Sequence, residues 1–244
     1  MQQISRIVEP NKLKLVWQSV NGSDRTKYVV GELVRASNCV ALYYSYNTAD
    51  FLAAQKAGFQ GHPAFDFRQP VHHHNVLEIF IKRVPPRNRL DFHQFLSKHR
   101  LAHFPSISDF ALLGYSGARL PGDGFYLEID FSLERPPLEF LMEVSGFRYY
   151  QGMHVQMETL QGLPVQLLPE PHNPMDPNAV QLYAGAVKLG YVPRPQAASI
   201  RAWMPYHAIS ASIERIEGAP LRPQVYLFIR IASSAALQAL LTSS

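Results

Sequence analysis

The chain has 244 residues, 47% of them hydrophobic and 17% charged, and its 23 basic and 19 acidic side chains give a formal charge of +4. That length suits two ordinary domains, and that apolar fraction excludes a chain that is mainly disordered. No apolar run approaches the roughly 18 residues of a membrane span, no secretory signal opens the sequence, and the single cysteine, Cys39, excludes both an internal disulfide framework and a multi-cysteine zinc cluster. A soluble, cytoplasmic protein is the expectation.

In chain order, Lys12–Trp17 alternates as a strand does, and Tyr28–Val34 and Ala41–Tyr46 read as two more, with Ser37-Asn38 supplying turn chemistry between them. Phe51–Ala57 reads as a short helix with Asp50 as its N-cap. Val76–Val84 suits either class, and Arg89–Leu101 has a helical spacing of apolar residues at Leu90, Phe92, Phe95, Leu96 and Leu101. Phe125–Phe131 alternates again, with Glu128 and Asp130 sharing one face. Paired prolines at Arg135-Pro136-Pro137 mark the candidate boundary, because they stop both helices and central strands.

Beyond the boundary the pattern turns mostly β. Pro137–Val144, Pro164–Leu168, Ala179–Tyr183, Val187–Tyr191, His207–Ile216 and Gln224–Ile231 read as strands, with a turn at Ala184-Gly185-Ala186. Pro195–Met204 reads as the one helix, with Ala198, Ile200, Ala202 and Trp203 as its apolar stripe, and the tail after Ser233 reads as a frayed end. The expected architecture is an α+β domain over residues 1–135, an OB-like small β-barrel with one helix over 138–232, and a tail over 233–244.

Charge is uneven. Residues 1–137 carry 16 basic and 12 acidic side chains, whereas 138–244 carry 7 of each. The excess gathers around Lys82, Arg83, Arg87, Arg89, Lys98 and Arg100. A protein that held nucleic acid by bulk electrostatics would be more basic, so a few placed contacts would have to do it; the favoured reading of the cluster is an ordinary solvated face.

Several chemistries find no support. There is no Walker-type or kinase glycine loop, so ATP hydrolysis is not expected. Gly114-Tyr115-Ser116-Gly117-Ala118 misses the nucleophile-elbow pattern and reads as a turn, and Glu128 with Asp130 reads as the wet side of a strand. His72-His73-His74, with His62 upstream, is the one metal-like feature, but nothing completes a tetrahedral set. No cofactor, no metal and no enzymatic activity are expected.

The informative stretch is Val144–Arg194. Gly146-Phe147-Arg148-Tyr149-Tyr150-Gln151-Gly152 places adjacent aromatics after an arginine in a glycine-bounded loop. Leu168-Pro169-Glu170-Pro171-His172-Asn173-Pro174-Met175-Asp176-Pro177-Asn178 is dense in residues that fix turns and hold side chains still. Leu189-Gly190-Tyr191-Val192-Pro193-Arg194 follows. Exposed aromatic faces can stack bases for about 1–3 kcal/mol each, and arginine can grip a phosphate bidentately. The competing reading makes Tyr149 and Tyr150 core aromatics and Asp176 a turn residue.

This motif order resembles the HIRAN domain, a small OB-like barrel of DNA-repair remodellers and bacterial proteins, over about residues 138–232. The resemblance implies binding of single-stranded DNA at a free 3′-hydroxyl end. By it, Arg148 and Tyr149 hold phosphate and stack a base, Tyr150 joins that surface, and Asp176 accepts the terminal hydroxyl's hydrogen bond. Tyr191 and Arg194 stand where the family places a histidine and a lysine, and Met175 replaces a stacking aromatic by a thioether. The N-terminal half, through Val30-Gly31-Glu32-Leu33, Val76–Arg83, Phe110–Leu113 and Gly117–Asp123, resembles the small N-terminal subdomain of HipA-type toxin kinases, which implies docking to a protein partner. The resulting expectation is a non-catalytic protein that binds single-stranded DNA or DNA 3′ ends. The alternative is a protein-interaction, antitoxin-like module without DNA binding.

Overall fold

The computed structural model describes residues 2–20, 26–36, 39–219 and 222–233. The Ser37-Asn38 turn and the tail beyond Ser233 lie outside the described residues. The chain divides into two compact units. One is Val8–Asp130; the other begins at Phe131 and takes in the N-terminal residues up to Ile7. The division thus falls after Asp130 and not at Arg135-Pro136-Pro137, whose Pro136–Pro137 peptide is cis. The first unit is an insertion between two parts of the second.

The Val8–Asp130 unit holds strands β1 (Lys12–Trp17), β2 (Tyr28–Arg35), β3 (Val40–Tyr44), β4 (Val71–His72) and β5 (Phe125–Ile129), and helices α1 (Ala49–Lys56), α2 (Val76–Ile81), α3 (Phe92–Lys98) and α4 (Asp109–Ser116). The strands form one antiparallel sheet in the order β4-β3-β2-β1-β5. Alternation buries Leu13 and Leu15 while Lys12 and Lys14 face outward, and a register shift between Leu15 and Val16 then turns Val16 inward as well. α1 is capped by Thr48, whose hydroxyl accepts from the Phe51 N–H at 3.2 Å; Asp50 instead accepts from the Val29 N–H at 3.1 Å and ties the helix to the sheet. Val76–Ile81 resolves as helix because Val76 and Phe80, one turn apart, are both buried. α3 starts later than its apolar spacing suggests, and Leu90 before it is fully exposed. Gly114-Tyr115-Ser116, read as a turn, ends α4: Ser108 caps its start through the Ala111 N–H at 3.1 Å, and Gly117, at φ +75°, closes it.

In the second unit, a 3-10 turn (Phe131–Leu133) leads to β6 (Leu138–Glu143), 3-10 turns at Phe147–Tyr149 and Gln151–His154, and α5 (Met157–Leu160). β7 (Gln166–Pro169), β8 (Val180–Ala184), β9 (Val187–Tyr191), α6 (Arg194–Trp203), β10 (Ile209–Ala219) and β11 (Arg222–Ile231) complete it. The strands form two antiparallel sheets, β10-β11-β6 and β7-β8-β9. Two bridges join them. Ser145 and Tyr191 exchange N–H···O bonds of 2.8 and 2.9 Å, and at the other seam Val165 donates to the Ala211 carbonyl at 2.8 Å while Ile213 donates to Leu163 at 2.9 Å. The six strands therefore close into a small barrel, which removes exposed sheet edges. Its interior is lined by alternate residues such as Leu138, Phe140, Met142, Leu182, Leu227 and Ile229.

Closure depends on Gly190. Its φ is +143°, and a Cβ there would lie 2.3 Å from the Ser145 carbonyl oxygen, so a side chain would push the seam open. α6 buries Pro195, Gln196, Ala197 and Ile200; of the stripe read from sequence Ile200 is buried, whereas Ala198 and Ala202 are exposed. The N-terminal residues strap the barrel. Ile4 is fully buried, and Ser5 donates to Glu139 Oε2 from its N–H at 2.6 Å and its hydroxyl at 2.8 Å, while Arg230 Nε donates to Oε1 at 2.6 Å. Burial alone would raise the Glu139 pKa, but these donors overcome it and hold the carboxyl below its usual range.

Candidate nucleic-acid interface

The glycine-bounded loop after β6 separates its aromatics by role. Phe147 is buried, and a Cβ on Gly152 would meet its ring at 2.5 Å, so the loop closes only over a glycine. With Phe147 as the anchor, Tyr149 is turned out and is 66% exposed. Arg148 lies over the Tyr149 ring, its guanidinium carbon 4.4 Å from the centroid, and donates to the Tyr149 hydroxyl. Tyr150 is half-buried, edge-on to Tyr191 with ring centroids 5.6 Å apart. The two tyrosines expected together thus have different settings: one offers a ring face to solvent, the other forms a corner with strand β9.

At that corner stands Lys188, which sequence reasoning passed over. Its Nζ is 4.7 Å from the Tyr150 ring centre and 4.5 Å from that of Tyr191, and it donates to the Tyr191 hydroxyl at 3.0 Å. The hydroxyl in turn donates to Glu170 Oε2 at 2.9 Å. Strict strand alternation would put residues 188 and 191 on opposite faces. The register shift between Leu182 and Tyr183 leaves both Leu189 and Gly190 buried, and so brings Lys188 and Tyr191 to the same side. Nothing in the sequence other than Gly190 signals that shift.

Glu170 opens the acidic loop. Asn173 Nδ2 donates to Glu170 Oε2 at 2.6 Å, and Asn173 Oδ1 accepts from the N–H groups of Met175 and Asp176 at 2.9 and 3.1 Å. Asp176 Oδ1 accepts from the Asn178 N–H at 2.8 Å. Asp176 therefore does have the turn role of the competing reading, and the same bond fixes the plane of its carboxylate. Met175 is 83% exposed. The donors from Asn173 and Tyr191 hold the Glu170 carboxyl below its ordinary pKa. Burial, and then the bond to Glu170, raises Tyr191, while burial and the neighbouring Tyr191 raise Tyr150, so both phenols are neutral donors at physiological pH. Arg194 begins α6 and is exposed. One chain of hydrogen bonds thus joins Lys188, Tyr191, Glu170, Asn173 and Asp176, with the Tyr150 ring against Lys188 and Tyr191.

The other sequence candidates resolve into structure. Arg83, its side chain 6% exposed, is bidentate to Asp123 at 2.6 and 3.1 Å and also bonds the Ala118 and Phe125 carbonyls. Arg87 pairs with Asp109 and Arg89 with Asp91, and Arg100 is buried. Asp130 takes Lys14 at 3.4 Å, and Glu128 stands opposite Lys14 in the ladder. Ser116 Oγ donates back to the Leu112 carbonyl. His62 is buried among Phe65, Phe80 and Phe125, and His72 Nε2 lies 3.0 Å from the Asp66 carbonyl. Among the described residues, no three His, Cys, Asp or Glu side chains gather so as to hold a metal ion, and no helix is long and apolar enough to cross a membrane.

Comparison with known proteins gives one family. The HIRAN domain model matches residues 138–233. Among solved structures, the HIRAN domain of human HLTF is 22% identical over 41% of this chain and 81% of its own, with a TM-score of 0.34. A protein from Lactobacillus plantarum is 23% identical over 37% of this chain and 89% of its own, with a TM-score of 0.33. No curated protein matches the chain. The family match falls on the barrel strands and on the aromatic and acidic loops between them, so that residues 138–233 of this chain match the HIRAN domain.

Proposed function

We propose that this protein is a non-catalytic binder of single-stranded DNA that recognises 3′-hydroxyl ends through its HIRAN domain. The observation that carries the reading is the pairing of an outward, cation-backed ring, Tyr149 with Arg148, with a carboxylate of fixed orientation, Asp176. A base stacks on the face of Tyr149 away from Arg148, for about 1–3 kcal/mol. Arg148 turns from the ring to a backbone phosphate, Met175 lies flat against the terminal base, and Arg194 and Tyr191 meet the sugar–phosphate chain. Asp176 accepts the hydrogen bond of the terminal hydroxyl, and its charge repels a terminal phosphate. The resemblance of the N-terminal half to the HipA subdomain makes that unit a docking module for a protein partner. A single cysteine, Cys39, exposed as a free thiol, fits the reducing cytoplasm.

Fluorescence anisotropy with oligonucleotides ending in a 3′-hydroxyl, in a 3′-phosphate, and in a blunt duplex tests this. The hydroxyl-ended strand should bind tightest, and Asp176→Asn, which keeps shape and an acceptor but removes the repulsion, should narrow the gap to the phosphate-ended strand. Equal affinity of the wild-type protein for the two single strands overturns end recognition. Indifference to all three oligonucleotides favours the protein-interaction module.

A further inference from the structure

Lys188 touches the aromatic loop and Tyr191 directly, and reaches the acidic loop through Tyr191. Its ammonium sits between the Tyr150 and Tyr191 rings and donates to the Tyr191 hydroxyl; its backbone N–H donates to Gln151 Oε1 at 3.0 Å. The first and last of these contacts hold the aromatic loop. The middle one passes through Tyr191 to Glu170, and from there through Asn173 to the Asp176 N–H. Every bond in that sequence has its donor on the Lys188 side until it reaches Glu170, so the ammonium sets the direction of the Tyr191 hydroxyl, and the carboxylate receives it. A cation flanked by two ring faces and joined to a carboxylate through one phenol is held from several sides at once.

We infer that Lys188 is a positioning residue that sets the spacing between the aromatic loop, residues 146–152, and the acidic loop, residues 170–178. End discrimination by Asp176 therefore depends on a side chain that does not itself touch the DNA end. This rests on the reading of the barrel surface as a site for 3′ ends, and it makes Lys188 act through Tyr191 and Glu170.

The test has two arms. In the free protein, hydrogen exchange of Lys188→Met should speed up in both loops together, with the barrel strands unchanged. In binding, Lys188→Met should lower the ratio of affinities for hydroxyl- and phosphate-ended strands by about threefold to tenfold, while the slope of log affinity against log salt stays as in the wild type. Tyr191→Phe, which removes only the linking hydroxyl, should reproduce the loss, and the double substitution should add little to either. Faster exchange confined to the aromatic loop, or additive effects in the double variant, overturns the inference. A salt slope reduced by about 0.7 with the end ratio intact also overturns it, since Lys188 would then be a direct phosphate contact. A wild-type protein without end preference overturns the proposed function, and the exchange arm still decides the coupling of the loops.

Discussion

The two units use their charged and aromatic side chains in opposite ways. In Val8–Asp130, which carries most of the basic excess, Arg83, Arg87 and Arg89 each meet a carboxylate, and the rings of Tyr44, Phe51, Phe59, Phe65 and Phe80 pack inward on one another. In the barrel unit, whose net charge is close to zero, Tyr149 and Met175 face solvent and Arg148 lies on an exposed ring. An arginine already bidentate to an aspartate has little left to offer a phosphate, whereas one stacked on a surface tyrosine can turn away at small cost. Net charge therefore does not show which half keeps cations and rings exposed. What matters is whether a cation is internally neutralised.

The sharpest way to test that contrast is to remove a cation from each unit. Arg83→Ala leaves Asp123 with the Phe125 N–H but without its cation, takes a donor from two backbone carbonyls, and should destabilise the N-terminal unit by about 3 kcal/mol, read by chemical denaturation, while single-strand affinity is unchanged. A loss of DNA binding with intact stability would break the comparison.

His62 offers a second probe of the inward-facing unit. Burial, and then the Arg83 cation, lowers its pKa from 6.5 to about 4. The unfolded state then binds the proton more tightly, so the stability contributed by neutral His62 is complete above about pH 6.5 and is lost as pH falls towards 4, reaching about 3 kcal/mol. Its Nδ1 accepts from the Ala64 N–H at 3.2 Å, a bond that protonation abolishes. Denaturation midpoints of His62→Leu should fall less steeply than those of the wild type between pH 7 and pH 4; equal slopes would place the titration elsewhere.

On the outward-facing unit the effects should appear in binding and not in stability. Tyr149→Ala should weaken single-strand affinity by about 1–3 kcal/mol with little change in melting temperature. A sharp drop in melting temperature with binding intact would make the ring structural. Arg148→Ala should have the smallest effect, reducing the slope of log affinity against log salt by about 0.7. Because Arg148 covers Tyr149 in the free protein, the two substitutions should be non-additive.

Most strands were legible as short runs of β-forming residues bounded by turn residues: Lys12–Trp17 and Val187–Tyr191 have the bounds read from sequence, and β8 lies one residue off. Helix α4 was missed because Phe110, Ala111, Leu112 and Leu113 are all buried, which erases helical periodicity. α6 was located correctly but its buried face was read only in part: Ile200 is buried as expected, but alanine is apolar enough to suit either side, and Gln196 is buried. The first residues carry no pattern at all, and only the folded barrel shows Ser5 and Ile4 to be part of it.

By itself the sequence determined that there are two differently patterned halves, that the second is a small β-barrel of the HIRAN kind, and that its aromatic and acidic loops are the chemically distinctive segments. These are local matters, set by side-chain alternation, turn residues and motif spacing. Only the tertiary structure decided that the barrel closes at Gly190, that the N-terminal residues strap it, and that Lys188 joins Tyr150, Tyr191 and Glu170. It also decided that Arg83 and Arg87 of the basic cluster pair with Asp123 and Asp109. Each of these joins residues far apart in the chain, or depends on a one-residue register shift that reverses which face a side chain takes, and neither leaves a periodic trace in the sequence.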